Sequence, residues 1–406
     1  MVGNILSDLF KHLLETPNVD LIKMVGMWIV GGVLVYLAIK KNMEPTLLLP
    51  MGFGAILVNL PYSGALGAFE HGLLVEAEGP LSILYSAGIA NELFPLLLFI
   101  GIGAMMDFGP LLSNPKLLCF GAAAQVGIFL TIILASIIGT LIPGSFSFQD
   151  AAAVGAIGTA DGPTSIFLAN HYGTKYMGAI MVAAYSYMAL VPIIQPPFIR
   201  LVTTKKERLI RMPYAHEGVP QSVRILFPIC VTVIAGLVAP LSVGLVGFLM
   251  FGNLIRECGV LNSMSETAQS ALANIVTILL GITIASRMQA AEFLTLETIM
   301  ILALGLVAFI FNTVGGVLFA KLINLFTKTK LNPMIGACGI SAFPMSSRVI
   351  HKMGLKEDKQ NFLLMHAAGV NAGGQIASVI AGGMILSLVP KVGETVGAAM
   401  SIFSGF

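Results

Sequence analysis

Residues 155–165 read GAIGTADGPTS: three glycines, a proline and an aspartate inside one of the most hydrophobic stretches of a 406-residue chain. Glycine and proline interrupt helices, and a carboxylate in apolar surroundings is costly. The segment is therefore neither an ordinary spanning helix nor an ordinary loop. It also recurs. In GACGISAFPMS (336–346), Gly336-Ala337, Gly339, Pro344 and Ser346 stand where Gly155-Ala156, Gly158, Pro163 and Ser165 stand in the first segment, at an offset of 181. Upstream, LLLFIGIGAMMDFGPLL (96–112) resembles TILLGITIASRMQAAEFL (277–294) at an offset of 180, and GFGAILVNL (52–60) loosely matches GFLMFGNLI (247–255). Similar order and spacing point to an internal duplication, the device from which many transporters are built.

The composition around these segments decides the class. Hydrophobic residues make up 56% of the chain and charged residues 10%, with a mean hydropathy of +0.91, against roughly 25% charged residues in a soluble domain. Apolar runs at 24–39, 117–142, 177–199, 271–285 and 299–319 approach or exceed the roughly 17–25 residues of a spanning helix, and they leave no room for a soluble domain. The N-terminal stretch carries Asp8, Lys11 and Glu15 and lacks the basic, apolar, small-residue order of a cleaved signal. Cys119, Cys230, Cys258 and Cys338 lie singly in apolar surroundings and read as small buried hydrophobes. A formal charge of +2 gives no nucleic-acid footprint, and the absence of GxxxxGK[ST] argues against ATP drive within the chain.

The stretch TTKKERLIRMPYAHEGVPQSVR (203–224) holds the densest basic cluster and reads as cytoplasmic. It divides the chain into a first repeat, 1–202 with hairpin 151–168, a linker, 203–222, and a second repeat, 223–406 with hairpin 333–348. Each repeat reads as five spanning helices plus one broken, re-entrant segment. Five crossings invert the second repeat relative to the first. The expected fold is an all-α polytopic membrane protein of about ten spanning helices, with two hairpins entering from opposite sides and meeting near the midplane. With the N-terminus outside, 17 of the 22 Lys and Arg fall inside; Lys11, Lys23, Lys175, Arg287 and Lys391 fall outside, where Glu70, Glu76 and Glu78 share a loop.

Interrupted helices survive at membrane depth only where protein or water satisfies the freed backbone groups. Gly158, Gly162 and Pro163 in one hairpin and Gly336, Gly339 and Pro344 in the other are expected to free carbonyls for a cation. Asp161 is the one acidic residue in either hairpin. A hard cation such as Na⁺ takes oxygen ligands, and Asn332, Ser341 and Asn371 lie in or beside the partner elements, Asn371 within GVNAGGQ (369–375). Tyr187, in YSYMALVPIIQPP (185–197), offers a phenol that can pass a proton. Arg348, in PMSSRVIHK at the end of the second hairpin, offers a guanidinium suited to a carboxylate. On these residues alone, a sodium-coupled symporter or antiporter and an ion pump both remain open.

Four motifs in order narrow the choice. GTADGPTSIF (158–167), YSYMALVPIIQPP (185–197), NPMIGACGISAFPMSSRV (332–349) and QNFLLMHAAGVNAGG (360–374) together resemble the β subunit of the biotin-dependent, sodium-pumping decarboxylases of oxaloacetate, methylmalonyl-CoA, glutaconyl-CoA and malonate. The resemblance runs from about residue 20 to the end. It implies a multi-pass protein of a bacterial or archaeal cytoplasmic (inner) membrane that decarboxylates carboxybiotin on a carrier protein and couples this to Na⁺ export with consumption of a proton. It implies a carboxyltransferase subunit, a biotin carrier protein and a small single-span membrane subunit as partners, and a homo-oligomer. Asp161, Asn332 and Asn371 would be sodium-site residues, Ser341 and Tyr187 would serve sodium binding or proton delivery, Gly336 would shape its hairpin, and Arg348 would face carboxybiotin. One position departs from the pattern: Thr159 stands where many relatives have glycine, a change expected to stiffen the loop.

Overall fold

The computed structural model describes residues 17–390 apart from 42, 62, 71, 72, 77 and 213–217. The expectations for Asp8, Lys11, Glu15 and Lys391 and for the middle of the linker therefore lie outside the described residues. Helices dominate. In chain order they are α1 (Asn18–Lys41), α2 (Pro45–Val58), α3 (Pro80–Leu84) with a π turn (Tyr85–Ala90), α4 (Leu93–Met105), α5 (Leu118–Ala124), α6 (Val126–Leu141) and α7 (Phe148–Gly155) with a 3-10 turn (Ala156–Thr159). There follow α8 (Gly162–His171), α9 (Met177–Val202), the short α10 (Lys205–Arg208), α11 (Gln221–Val238), α12 (Val243–Glu257) and α13 (Asn262–Thr267) with a π turn (Ala268–Leu272). The last are α14 (Ala273–Ile284), α15 (Leu296–Phe326), a 3-10 segment (Pro333–Gly339), α16 (Met345–Glu357) and α17 (Leu364–Leu388). One antiparallel ribbon, β1 (Ala68–Glu70) with β2 (Leu73–Glu76), interrupts the helical order.

The sequence of elements runs the same course twice. A helix pair, a helix entered through a π turn, a long helix, a break and a final long helix occupy α1–α9 and again α11–α17. The two π turns stand at corresponding places, one two residues before α4 and one directly before α14. Among the described residues seven helices are long and apolar enough to cross a membrane, and the pair Pro80–Ala90 and Leu93–Met105, bent by 59°, makes an eighth. Ten crossings are expected; α2 and α12, of 14 and 15 residues, are short of the usual spanning length.

By contacts the chain forms two compact units. One takes the described residues up to Phe94 with Lys175–Ala179 and Asn274–Met300; the other takes Pro95–Thr174, Ile180–Ala273 and the residues from Ile301 onward. In the first, the buried Asn59 side chain ties the end of α2 to its own helix at Ala55 O (2.7 Å) and to Met288 O (2.8 Å), and accepts from Ala290 N (2.7 Å). In the second, α17 is the central helix: 83% of its apolar window is buried, against 11% for Gln221–Val238. Helix α11 instead turns Val233 and Leu237 outward, an arrangement stable in lipid and costly in water. Both breaks belong to this second unit.

Candidate functional site

The first break begins as α7 tightens into its 3-10 turn. Ala160 then takes a left-handed conformation (φ 51°), which costs a non-glycine residue roughly 1–2 kcal/mol. Asp161 follows in an extended conformation, and Pro163 lies in the first turn of α8, where its missing N–H is not needed. Thr159 holds this bend. Its Oγ1 donates to Ala156 O (2.7 Å) and accepts from Asp161 N (3.1 Å), tying the main chain on the two sides of the bend. The second break runs through the 3-10 segment 333–339, the extended Ile340 and a turn at 343–344, with Pro344 preceding α16.

The glycines work differently from the expectation. Gly158, Gly162, Gly336 and Gly339 are not among the residues with positive φ; the left-handed position is Ala160. What these glycines provide is close approach. A Cβ on Gly336 would lie 2.0 Å from Gly316 O, one on Gly162 2.0 Å from the Tyr185 ring, one on Gly339 2.5 Å from Phe120 O and one on Gly158 3.0 Å from the Ala308 Cβ. Their carbonyls are not all free either, since Gly158 O accepts from the Asn312 amide and Gly339 O from Gln125 Nε2 (3.3 Å).

Asp161 is buried, 3% exposed. Its Oδ2 accepts from Thr164 Oγ1 (2.6 Å) and from Gln375 Nε2 on α17 (3.1 Å). Ser341, in the second break, donates from its amide (3.2 Å) and its Oγ (2.6 Å) to Thr159 O in the first. The two breaks are thus joined directly. One turn before Gln375 on the same face of α17, Asn371 donates to Ile340 O (2.7 Å) and Cys338 O (3.3 Å). Among the described residues its buried Oδ1 has no hydrogen-bond partner. Asp161, Ser341 and Asn371 therefore share one web, closed through Gln375, Ile340 and Thr159.

The other expected residues stand apart from that web. Asn332 caps the 3-10 segment by accepting from Met334 N (3.1 Å) and donates to Arg208 O and Ile210 O (2.9 Å each). Its amide is committed to main-chain groups, so it fixes the base of the second break to the segment after α9. Tyr187 donates its hydroxyl to Leu302 O on α15, and its ring lies against Gly305. Arg348 is exposed in the first turns of α16. Sequence reading missed Gln375, Thr164 and Tyr185 beside Asp161, and the buried amides Gln125, Gln195 and Asn312. Gln195 donates to Ala337 O (2.9 Å) and accepts from Ser346 Oγ (2.9 Å). A usable signal was present: Gln375 is four residues from Asn371, and each of the other three is a lone amide in an apolar run.

Chemically, the web offers one carboxylate, an unpartnered amide oxygen and hydroxyls. That is a donor set for a hard monovalent cation or a proton. Residues 23–389 match the family described as Na⁺-transporting oxaloacetate decarboxylase beta subunit. The methylmalonyl-CoA decarboxylase subunit beta of Veillonella parvula is 49% identical, with 89% of this chain and 92% of the relative covered. The glutaconyl-CoA decarboxylase subunit beta of Acidaminococcus fermentans is 47% identical at the same coverage, and the probable oxaloacetate decarboxylase beta chain of Vibrio cholerae 46% identical, with 89% and 94% covered. These relatives favour the decarboxylase reading over a free-standing symporter or antiporter. The chain belongs to the family of Na⁺-transporting decarboxylase beta subunits, as a multi-pass membrane subunit.

Proposed function

We propose that the chain decarboxylates carboxybiotin presented by a biotin carrier protein and uses the free energy released to export Na⁺, with consumption of a proton. The observation that carries this reading is Asn371 Oδ1, a buried acceptor without a hydrogen bond, one helical turn from the glutamine that holds Asp161. A buried unsatisfied acceptor costs about 1–3 kcal/mol, and a buried carboxylate needs a counter-charge; a Na⁺ between them answers both needs. Asp161, Asn371 and Ser341 supply ligands, and Asn332 supports them by anchoring the second break. When Na⁺ leaves, a proton on the carboxylate restores neutrality. That proton, passed to the biotin nitrogen as its bond to the carboxyl carbon breaks, leaves biotin and CO₂. Tyr187 is the phenol assigned to that relay, and Arg348 the guanidinium that receives the carboxylate of carboxybiotin.

In this reading the two runs of elements are inverted repeats, 1–202 and 223–406, in a cytoplasmic membrane, with ten crossings that include the short α2 and α12. A carboxyltransferase subunit supplies the carboxylated carrier, a small single-span subunit accompanies the complex, and the chain forms a homo-oligomer. Asp161→Asn tests the proposal in the assembled complex. It keeps the volume and the Thr164 and Gln375 neighbours but removes the charge. Na⁺-dependent decarboxylation and ²²Na⁺ uptake into vesicles should both fall to background; retention of both would refute it.

A further inference from the structure

Helix α16 has one face in the protein and one outside. Val349, Ile350, Met353 and Gly354 are buried, whereas Arg348, Lys352 and Lys356 are exposed. Positions i, i+4 and i+8 share a helix face and span about 12 Å at 1.5 Å per residue; the exposed Lys359 follows just past the helix end. Among the described residues none of these four side chains makes an ion pair. The carboxylates that could neutralise them are taken: Glu357 by Arg208 (2.8 Å), Asp358 by Arg211 (2.5 Å) and Glu207 by Lys321 (3.1 Å). Two further exposed lysines, Lys205 and Lys206, lie on α10, which the Arg208–Glu357 pair joins to α16.

Such a stripe is unfavourable for the helix that carries it. Like charges one turn apart repel, and Arg348 lies near the N-terminal end, where the helix dipole disfavours a cation. The dipole favours only Lys356, in the last turn, and among the described residues no ion pair relieves the repulsion. We propose that the exposed face of α16 is a docking surface for an acidic protein domain, namely the domain that carries carboxybiotin. This rests on the function proposed above. Acidic groups of the carrier would meet Lys352, Lys356 and Lys359, and the stripe runs back to Arg348, beside the second break, where the anionic carboxybiotin is to be received. Complementary charge of this kind raises the encounter rate and fixes orientation, and it is screened by salt.

The test uses the membrane subunit in phosphatidylcholine vesicles, with the carboxylated biotin carrier subunit supplied as a separate protein. In Lys352→Glu/Lys356→Glu the KM for the carrier should rise at least tenfold at low salt. The kcat at saturating carrier should stay within twofold, and the steep salt dependence of the wild-type KM should flatten; Lys352→Arg/Lys356→Arg should behave as wild type. ²²Na⁺ binding checks that the site is intact, and where the reversed variant loses it, Lys352→Gln/Lys356→Gln is read on the same scale. An unchanged KM and salt slope overturns the docking surface alone. An effect confined to vesicles containing phosphatidylglycerol assigns the stripe to lipid and likewise overturns it. A wild-type chain that turns over no carboxylated carrier removes the function proposed above, and the docking surface with it.

Discussion

A single methyl group is enough to probe the second break. A Cβ on Gly336 would lie 2.0 Å from the main-chain oxygen of Gly316 on α15, whereas Gly32 on α1 has nothing within 4 Å of the same construction. Main-chain atoms cannot rotate away, so Gly336→Ala must part the 3-10 segment from α15. The expected cost is about 1–3 kcal/mol, with loss of most Na⁺-dependent activity. Gly32→Ala, by contrast, should leave activity intact and the thermal midpoint unchanged or slightly raised, because alanine favours helix over glycine. Equal behaviour of the two variants would contradict the packing described. Asp161, Ser341 and Asn371 were legible in the sequence because a polar group at membrane depth is expensive and lies where helices break. Gln375 carried a signal in its spacing from Asn371, but its partner was hidden, because it reaches Asp161 from α17 across the fold; Thr164 makes a local contact, three residues from Asp161, that spacing alone does not single out. Tyr185 was passed over for Tyr187, two residues along the same helix, because spacing alone does not say which phenol faces Gly162.

Elements that looked separable in the sequence are tied together in the structure. The stretch after α9 reads as a linker, and its capping box is visible as Thr204 followed three residues later by Glu207. What the sequence hides is that Asn332 and Asn361 both donate to Arg208 O (2.9 Å each) and that Arg208 and Arg211 pair with Glu357 and Asp358. These contacts clip the linker to the second break. The hydrogen bond from Arg211, with help from Gln360 N–H, holds the Asp358 carboxyl below its ordinary 3.8. A depressed carboxylate contributes stability above its unfolded value and loses it as pH falls through the folded one. Amide exchange at Leu209 and Ile210 should therefore be slow at pH 7 and, after correction for intrinsic rates, should accelerate below about pH 4. Arg211→Ala should show the faster exchange already at pH 7 and little further change. Because Arg211 is 56% exposed and exposed pairs are weak, the expected response is graded fraying rather than unfolding. The ten crossings read from the sequence go beyond the seven or eight helices of spanning length among the described residues, because α2 and α12, of 14 and 15 residues, are short for a span.

The two breaks are held by matching sets of amides. Asn312 on α15 donates to Gly158 O in the first break, and Gln125, between α5 and α6, donates to Gly339 O in the second. Gln375 on α17 reaches Asp161 in the first break, and Gln195 on α9 reaches Ala337 O in the second. Within the breaks, Ser165 Oγ donates to Ala156 O (3.0 Å) and Ser346 Oγ to Ala337 O (3.3 Å), nine residues back in each case. Such reciprocity is what a duplicated unit with exchanged contacts would leave behind. It bears on membrane topology because, in the proposed reading, five crossings in each run turn the second run over. The loop before the first break, around the exposed Pro143, and the loop before the second, around Lys328, should then lie on opposite sides. Pro143→Cys and Lys328→Cys, compared with the wild-type background in right-side-out vesicles, should differ on treatment with an impermeant maleimide. The first should label at once and the second only after the membrane is opened. Labelling of both from one side would refute the inversion while leaving the Asp161 web as described, because the hydrogen bonds that join the breaks do not depend on which side each loop faces.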